Sequence, residues 1–434
     1  MFDSLKNKIL SKKAKIGVIG LGYVGLPLAM AFAKKGFKVW GIDLDKDRVT
    51  RLKKGQSYIL DLKPSDIVNM QKDGSIIFTS DISNIKKLDA FFICVPTPLL
   101  KTKEPDVSFI ISAAKMIKKH MKRGQVVVLE STTYPGTTEE VMLPILESTG
   151  LKERRDFYLA FSPERIDPGN TKYFVTNIPK VVGGISQCST EIAALLYKQI
   201  IDKIIPVSSS RAAEMTKLLE NTFRIVNLGL INELTLMCDK LGMNIWEIID
   251  AAKTKPYGFM PFYPGPGVGG HCIPVDPLYL SWKARAHGFE ARFINLASEV
   301  NEHMPQYVIE KMISALNKKK KALKSSKVLL IGVAYKKDVQ DLRESPAFEI
   351  IEILKRNEAK VSYYDPYFPY VKLDGIDLKR AKFTKEVLAS ADCVVIVTDH
   401  SNLDYQFIAK NSKVVIDTRN ALKNIKNRSN IITL

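Results

Sequence analysis

Short apolar runs alternate with amphipathic stretches along the first third of the chain. This alternation is typical of a parallel β-sheet whose two faces are covered by helices. The pattern predicts a helix over residues 24–35 and strands over residues 15–19, 38–42, 90–95, 126–130 and 158–161.

The middle of the chain has a different pattern. From about residue 209 to 241 the sequence is helical in character and largely apolar, and it contains no glycine or proline except Gly229. A helix that is apolar on more than one side is usually buried by other helices, often across a subunit interface. We therefore expect one long central helix and a homodimer.

The α/β pattern returns near residue 327. Residues 327–332 (KVLLIG) resemble residues 15–20 (KIGVIG), and residues 360–365 (KVSYYD) resemble residues 38–43 (KVWGID). Further strands are expected at 392–397 and 413–417. This second copy lacks the second and third glycines of the first, so we expect it to bind something other than a dinucleotide.

The predicted fold class is therefore α/β, with two Rossmann-like doubly wound domains joined by a long central helix or helical dimerisation domain. The expected domains are a dinucleotide-binding domain over residues 1–205, a central helical domain over 206–312 and a C-terminal Rossmann-like domain over 313–434.

Composition narrows the class of protein. The chain has 434 residues, 46% of them hydrophobic and 26% charged, which is ordinary for a globular protein. No run approaches the roughly 18 apolar residues of a membrane span, and no signal peptide is evident, so we expect a cytoplasmic enzyme with no membrane partner. The five cysteines (94, 188, 238, 272 and 393) form no Cys-x-x-Cys pair and no cluster at zinc-ligand spacing, and no metal is expected.

The net charge of +19 raises the question of nucleic-acid binding. The lysines are spread along the chain, however, and the densest run, at 318–321, has the character of a solvated linker. We expect no nucleic-acid partner. A diffusely positive surface also attracts small polyanions such as nucleotides.

The segment Gly20-Leu21-Gly22-Tyr23-Val24-Gly25 has the G-x-G-x-x-G spacing, and it joins a predicted strand to a predicted helix. Such glycines permit a tight turn, close approach of the pyrophosphate and close packing of helix on strand, and the start of the helix binds the phosphates.

The end of the second strand bears on the choice of dinucleotide. Asp43 lies 23 residues after Gly20, where a carboxylate binds the adenosine ribose and repels a 2′-phosphate. NAD is therefore the expected cofactor. Arg48 leaves an alternative open, because an arginine can instead pair with that phosphate.

Polar residues follow two further strands at the same edge of the sheet. They are Val95-Pro96-Thr97-Pro98 and Ser131-Thr132-Thr133. Ligands of α/β sheets bind at this edge, although either segment could be a turn with capping hydroxyls.

The loop from Pro264 to Asp276 carries four glycines and two prolines before Cys272. A thiol in such a loop is accessible and can have a lowered pKa, unlike one inside an apolar strand. His271 is a possible base for Cys272, but adjacent side chains often point apart. On the central helix Lys217, Asn221 and Arg224 lie on one face, which either is solvated or lines a cleft.

Taken together, these segments resemble the UDP-glucose/GDP-mannose dehydrogenase family over nearly the whole chain. The segments that carry the resemblance are G-L-G-Y-V-G-L-P, V-P-T-P, F-S-P-E-R at residues 161–165, the helix with Lys217 and Asn221, and G-G-H-C-I-P-V-D from Gly269. The resemblance implies an NAD domain, a dimerising helix and a C-terminal UDP-sugar domain.

It also implies a two-step oxidation of the C6 alcohol of the sugar to a carboxylate, with two NAD used in turn, for the synthesis of surface-polysaccharide precursors. Cys272 would attack the aldehyde, and the resulting thiohemiacetal would become a thioester that water hydrolyses. Lys217 and Asp276 match a pair that orders a water and stabilises the oxyanion. Asn221 would hold the reacting oxygen.

The remaining roles are also implied by the resemblance. Glu164 matches the general base of hydrolysis, and Thr132 matches the hydroxyl that holds the catalytic water. Arg292 is expected to reach the substrate across the subunit interface. Cofactor contacts are expected at Gly20, Gly22, Tyr23, Val24, Gly25, Asp43, Arg48, Val95, Thr97 and Thr132, and substrate contacts at Glu164, Arg165, Lys217, Asn221, Gly269, Arg292, Lys336 and Arg343.

Two positions differ from the UDP-glucose enzymes of the family, which tend to have an aromatic residue before the cysteine and a lysine before the aspartate. Here these positions are His271 and Val275. The difference resembles the branch that oxidises UDP-N-acetylhexosamines, with UDP-N-acetylglucosamine as the favoured substrate. UDP-N-acetylmannosamine, UDP-N-acetylgalactosamine and UDP-glucose stay open as alternatives.

Two rival interpretations make different predictions. A two-electron hydroxyacid dehydrogenase would share the NAD domain and the long helix but would not need the thiol of Cys272. A nucleotide-sensing or nucleic-acid-binding protein would show steeply salt-dependent binding to DNA or RNA and no turnover of NAD.

Overall fold

A computed structural model describes residues 1–59, 62–100, 102–166, 172–270, 273–373 and 375–434. The chain forms two compact units. The first contains Met1–Glu220 and Leu278–Phe289, and the second contains Asn221–Pro277 and Glu290–Leu434. These two units are defined by how the residues pack and not by function. The three predicted domain ranges therefore remain a proposal.

The first unit holds most of the strands. Its elements are α1 (Phe2–Leu10), β1 (Lys15–Ile19), α2 (Gly25–Lys34), β2 (Lys38–Ile42), α3 (Lys46–Lys53), α4 (Pro64–Lys72), β3 (Ile76–Thr79), a 3₁₀ helix (Ile82–Lys87), β4 (Ala90–Ile93), α5 (Ser108–Lys118), β5 (Gln125–Leu129), a π-helical turn (Thr138–Met142), α6 (Leu143–Glu147), β6 (Phe157–Phe161), β7 (Lys180–Gly184), α7 (Gln187–Tyr197) and β8 (Ile204–Pro206).

These strands form one sheet in the order β3-β2-β1-β4-β5-β6-β7-β8. Neighbouring strands are parallel except β6 and β7, which are antiparallel. Every residue of β4, β5 and β6 is buried, as expected for central strands with helices on both faces. One apolar core lies on each face of the sheet.

The remaining elements follow in chain order. They are α8 (Ser210–Lys240), α9 (Ile245–Ala252), α10 (Asp276–Arg285), α11 (Arg292–Lys318), β9 (Lys327–Ile331), α12 (Pro346–Arg356), β10 (Lys360–Tyr364), β11 (Tyr370–Leu373), β12 (Ile376–Lys379), α13 (Lys385–Ser390), β13 (Cys393–Ile396), α14 (Tyr405–Asn411), β14 (Val415–Asp417) and β15 (Ile431–Thr433).

The second unit contains a five-stranded parallel sheet in the order β10-β9-β13-β14-β15 and a separate hairpin of β11 and β12. Its part of α8 packs against α11 at Gly229, where an added Cβ would lie 2.9 Å from the Cα of Ala297. Beside this contact the Asn232 amide donates to Asn301 at 2.7 Å. The glycine inside the predicted helix therefore allows two helices to approach closely.

Most of α10 packs on the first unit. The Tyr279 hydroxyl donates to the carbonyl of Thr97, and Lys283 pairs with Glu140 at 2.6 Å. The ring of Trp282 lies 5.0 Å from that of Tyr134. The first unit is therefore completed by residues that come after a large part of the second unit in the sequence.

The predicted fold class is confirmed: both sheets are Rossmann-like, and the long helix predicted over 209–241 is α8. The lysine run at 318–321 differs from the prediction of a linker, because Lys318 is the last residue of α11. Lys321 is paired with Asp392 at 2.5 Å, so one lysine of the run is held by the C-terminal sheet. None of the helices in the described residues has both the length and the apolar character needed to cross a bilayer.

Candidate active site

The turn between β1 and α2 has the geometry of a dinucleotide cradle. Gly20 has φ +91°, and a Cβ there would lie 2.5 Å from the carbonyl oxygen of Cys94. A Cβ on Gly25 would overlap the carbonyl of Gly20, whereas one on Gly22 would meet nothing within 4 Å. Two glycines thus permit packing, and the third leaves the open space that a pyrophosphate requires. The residues present therefore fit NAD.

The start of α2 is available to an anion. Val24 precedes the helix and is half-buried, Tyr23 is exposed, and no side chain among the described residues caps the helix. Uncapped amides at a helix N-terminus bind phosphate.

Asp43 lies at the end of β2 and is buried. Its Oδ2 accepts from the amide of Leu21 at 2.8 Å and from Arg48 Nη1 at 2.9 Å. The guanidinium of Arg48 lies 5.6 Å from the ring of Tyr58. Asp43 therefore fixes the glycine turn and neutralises Arg48. A neutralised arginine attracts a 2′-phosphate less, which favours NAD over NADP.

The ends of β4 and β5 lie side by side. The Ser131 hydroxyl donates to the carbonyl of Val95 at 2.8 Å and thereby ties the two segments together. Thr97 is buried and Thr132 is half-buried. The structure thus brings the sequence-predicted residues of these strands to the carboxyl edge of the sheet, next to the glycine turn.

Glu164 follows β6 at the same edge. Its Oε1 accepts from the amides of Arg165 at 2.6 Å and Ile166 at 2.7 Å. The guanidinium of Arg165, a predicted substrate contact, pairs with Glu220 and donates to the carbonyl of Pro179 at 2.7 Å. Arg165 therefore holds this segment in place through contacts within the protein.

A buried cluster of charged side chains lies next to Glu164, and the sequence did not predict it. Lys180, the first residue of β7, lies 2.6 Å from Glu130 and 3.5 Å from Glu164. The other carboxylate oxygen of Glu130 accepts from the Tyr197 hydroxyl. The only sequence signal was Glu130 at the end of an apolar strand, since a buried acid needs a partner.

The polar face predicted on α8 is divided. Lys217 and Asn221 are buried, whereas Arg224 is exposed. Glu214, one turn before Lys217, is fully buried and accepts from the amides of Gly136 at 2.6 Å and Thr138 at 2.9 Å. Burial raises the pKa of Glu214 to about 7 against the effect of these bonds. The solvated interpretation of this face therefore fits Arg224 but not Lys217 and Asn221, and the cleft interpretation stays a prediction.

The second unit brings together two of the sequence-predicted residues. The Asn221 amide donates to Asp276 Oδ2 at 2.5 Å, and both side chains are buried. This bond orients the carboxylate of Asp276 at the start of α10. The role at the reacting oxygen that the family resemblance implies for Asn221 stays a prediction, and the contact with Asp276 gives Asn221 a structural role.

The glycine loop before Cys272 packs on the segment after β9. A Cβ on Gly269 would lie 2.7 Å from the carbonyl oxygen of Glu344 and 2.9 Å from the Cβ of Tyr335. The amide of Gly270, which has φ +89°, donates to the carbonyl of Arg343 at 3.1 Å. These glycines are required because a side chain would separate the loop from this segment.

The other predicted substrate residues lie at the surface of the second unit. Lys336 is half-buried, and Arg343 is exposed with its guanidinium 2.6 Å from Asp341. Arg292 is exposed as the first residue of α11. The predicted nucleophile Cys272 and its neighbour His271 lie outside the described residues.

The C-terminal sheet has an acid at the position that corresponds to Asp43. Asp365 is fully buried, and its Oδ2 accepts from the amide of Val333 at 2.7 Å and contacts His400 Nε2 at 3.0 Å. His400 Nδ1 in turn accepts from the amide of Asp338 at 3.0 Å. The carboxylate of Asp365 is thus enclosed by protein groups, and the binding of something other than a dinucleotide by this copy stays a prediction.

A mainly parallel sheet with this glycine turn and this acid defines a Rossmann domain of the class that binds NAD. Three family models match the chain in succession: the NAD binding domain of the UDP-glucose/GDP-mannose dehydrogenase family over residues 14–201, its central domain over 211–303 and its UDP binding domain over 329–424. The chain belongs to this family, and it is an NAD-dependent nucleotide-sugar dehydrogenase.

Individual relatives extend along most of the chain. The UDP-N-acetyl-D-mannosamine dehydrogenase of Methanococcus maripaludis strain S2 is 36% identical, with 94% of this chain and 93% of the relative covered. The UDP-N-acetyl-D-glucosamine 6-dehydrogenase of Pseudomonas aeruginosa is 37% identical, with 82% and 83% covered. The solved structure of a UDP-D-ManNAc dehydrogenase from Pyrococcus horikoshii has a TM-score of 0.87 and 34% identity, with 96% and 98% covered.

Proposed function

We propose that the protein oxidises the C6 alcohol of a UDP-N-acetylhexosamine to the carboxylate, with UDP-N-acetylglucosamine as its substrate. The observation that carries this proposal is the packing of Gly269 and Gly270 against residues 335–344. These residues lie in the region matched by the UDP binding domain. Cys272 follows Gly270 by two residues, so a nucleophile in this loop is close to a nucleotide bound there.

The reaction removes four electrons. NAD held by the glycine turn and Asp43 would supply the hydride acceptor for each of the two oxidations. The alcohol first becomes an aldehyde, and the Cys272 thiolate then adds to its carbon to give a thiohemiacetal. Loss of the second hydride gives a thioester. Water adds to that carbon, the C–S bond breaks, and the thiolate and the carboxylate are released. One alcohol, two NAD and one water thus give one carboxylate, two NADH and three protons.

The side chains near these steps have complementary roles. The cationic Lys217 stabilises negative charge that develops on the sugar oxygen, and Asn221 orients Asp276. Glu164 takes a proton from the attacking water, and Thr132 holds that water. The backbone amides fix one oxygen of Glu164, and Lys180 faces the other at 3.5 Å, too far for a strong hydrogen bond, so this second oxygen can still accept from the water.

A homodimer is part of this proposal. Met215, Leu219, Phe223, Leu230 and Met237 are between 37% and 58% exposed. Their spacings of four and seven residues place them on one face of α8. A contiguous exposed apolar row of this kind marks an interaction surface, and a second copy of the helix fits it. We further propose that the protein acts in the cytoplasm.

UDP-N-acetylmannosamine is the second candidate substrate. It is favoured by the name of the Methanococcus maripaludis relative, which covers more of the chain than the relative named for UDP-N-acetylglucosamine. The two sugars differ at one stereocentre, so the choice depends on a few local contacts.

The proposal is tested by counting NADH per sugar consumed over a panel of UDP-sugars. We expect two NADH per UDP-N-acetylglucosamine and little reaction of UDP-glucose, and we expect Cys272→Ala to form no uronate. Preferred turnover of UDP-N-acetylmannosamine would move the assignment to the second candidate. One NADH for every active sugar would overturn the thioester route and favour a two-electron dehydrogenase.

A further inference from the structure

Lys180 lies between two carboxylates in the interior of the first unit. It is 4% exposed, and its Nζ is 2.6 Å from Glu130 Oε2 and 3.5 Å from Glu164 Oε2. Glu130 is 1% exposed, and the Tyr197 hydroxyl donates to its second oxygen. The single cation of Lys180 therefore interacts with two carboxylates. Of these, only Glu164 lies at the edge of the sheet where ligands bind.

Glu130 alone would be sufficient to neutralise a buried lysine. Its carboxylate has both oxygens occupied, one by Lys180 and one by Tyr197. The additional contact of Lys180 with Glu164 is too long for a strong hydrogen bond, so Lys180 acts on that carboxylate mainly through its charge. An opposite charge at this distance favours the ionised form of an acid.

The contacts of Glu164 itself fix its orientation. Two backbone amides bind Oε1, and Lys180 faces Oε2. The segment that carries Glu164 is further attached to the start of β7, because Arg165 donates to the carbonyl of Pro179, the residue before Lys180. The segments that carry Lys180 and Glu164 are thus joined by the bond from Arg165 to Pro179 as well as by the contact between the two charged side chains.

We propose that Lys180 is a positioning residue that holds the carboxylate of Glu164 by its charge for the role of that carboxylate as a base, and that Glu130 limits this effect by sharing the lysine charge. This inference rests on the proposed function, since it assigns a purpose to Lys180 only if Glu164 acts on water.

The other ionisable groups near the cluster support this charge balance. Burial raises the pKa of the Cys94 thiol and of the Tyr197 hydroxyl well above their ordinary values, so both stay neutral. Burial opposes the charge of Lys180, but the two carboxylates outweigh it and raise the pKa of the lysine. Burial raises the pKa of Glu130, against the effect of Lys180 and Tyr197. On the other side of Glu164, Arg165 is paired with Glu220.

The test uses the full-length enzyme and the acid limb of the pH profile of kcat, which reports the base in the substrate complex. In Glu130→Gln, Lys180 has Glu164 as its only charged partner in the cluster, so the limb should move to lower pH. The double variant Glu130→Gln/Lys180→Met removes the lysine together with its main partner, so no buried charge is left unpaired. Its acid limb should move to higher pH by about one unit, and kcat on the acid side of the limb should be roughly tenfold lower than in the wild type. KM for the UDP-sugar should stay within about threefold, and Lys180→Arg should resemble the wild type.

The opposite direction of the two shifts separates positioning from a structural role, because loss of folded enzyme lowers activity equally at all pH values. Acid limbs that coincide in the wild type, the single glutamine variant and the double variant would overturn the inference. If the double variant unfolds in a thermal scan, the shift of Glu130→Gln to lower pH decides the question alone. A wild type that oxidises no UDP-sugar would instead overturn the proposed function.

Discussion

At the scale of single residues, Glu214 is a buried acid whose surroundings shift its pKa in opposite directions. Three donors bind it: the amide and hydroxyl of Thr138 and the amide of Gly136. Its full burial nevertheless raises its pKa from 4.5 to about 7. The residue connects α8, one turn before Lys217, to the loop after Thr132, so its ionisation bears on the position of both.

We expect Glu214 to make the unfolding of the protein depend on pH. Because the pKa is raised on folding, the protonated form stabilises the fold fully below about pH 4.5, and this contribution is lost as pH rises through 7. A shift of this size corresponds to roughly 3 kcal/mol. The urea midpoint of the wild type should therefore fall between pH 5 and pH 8 by more than that of Glu214→Gln.

The matched control is Glu139→Gln, because Glu139 is an exposed acid of the same segment, paired with Arg211. It should retain the pH dependence of the wild type. Equal loss of stability in the wild type and in Glu214→Gln would show that Glu214 does not titrate in this range.

At the scale of elements, the packing of the glycine loop on the segment after β9 connects the position of Cys272 in the sequence with the proposed nucleotide site. Gly269→Ala would place a methyl group 2.7 Å from the carbonyl oxygen of Glu344. That contact is too short to exist, so the loop must move. We expect KM for the UDP-sugar to rise by about tenfold or more, with the Kd of NAD unchanged in a fluorescence titration.

Gly258→Ala is the control for this change. Gly258 also precedes the cysteine, and it has φ +70° with nothing within 4 Å of an added Cβ. It therefore introduces backbone strain of about 1 kcal/mol without a clash. If both variants raise KM equally, general weakening of the unit is responsible and close packing at Gly269 is not.

The elements differ in how well the sequence predicted them. Strands β1 and β2 begin and end as predicted, and α8 is one residue shorter than predicted at each end. These elements could be predicted because the periodic pattern of apolar residues that identifies them lies within the element itself. The short strands β7 and β8 were not predicted. β7 runs antiparallel to β6, and its pairing depends on residues far away in the sequence.

The same distinction applies to the site. The three glycines and Asp43 were predicted because their spacing within one turn carries the function. Lys180 was missed because its partners, Glu130 and Glu164, are 50 and 16 residues away, and only the folded sheet brings them together. The pairing of Asn221 with Asp276 was likewise hidden by a separation of 55 residues.

At the scale of the whole molecule, the exposed apolar row of α8 predicts association of two chains. Leu230→Glu would place a charge in the middle of this row, where Leu230 is 50% exposed. We expect the variant to elute as a monomer of about 49 kDa in size-exclusion chromatography with light scattering, while the wild type has twice that mass.

Arg224→Glu introduces a negative side chain at an exposed position of the same helix that is turned about 100° or more away from every residue of the apolar row, and it should leave the mass of the wild type unchanged. A wild type that is already monomeric at micromolar concentration would contradict the proposed dimer.

The contribution of residues 278–289 to the first unit has a consequence for synthesis on the ribosome. The growing chain supplies the first unit up to Glu220, but the segment that packs on Thr97, Tyr134 and Glu140 arrives only with Leu278–Phe289. At about 5 to 20 residues per second, this interval lasts roughly 4 to 14 s. During it the ring of Tyr134 lacks the contact with Trp282 that it makes in the complete unit, so we expect this part of the nascent NAD domain to be accessible to chaperones.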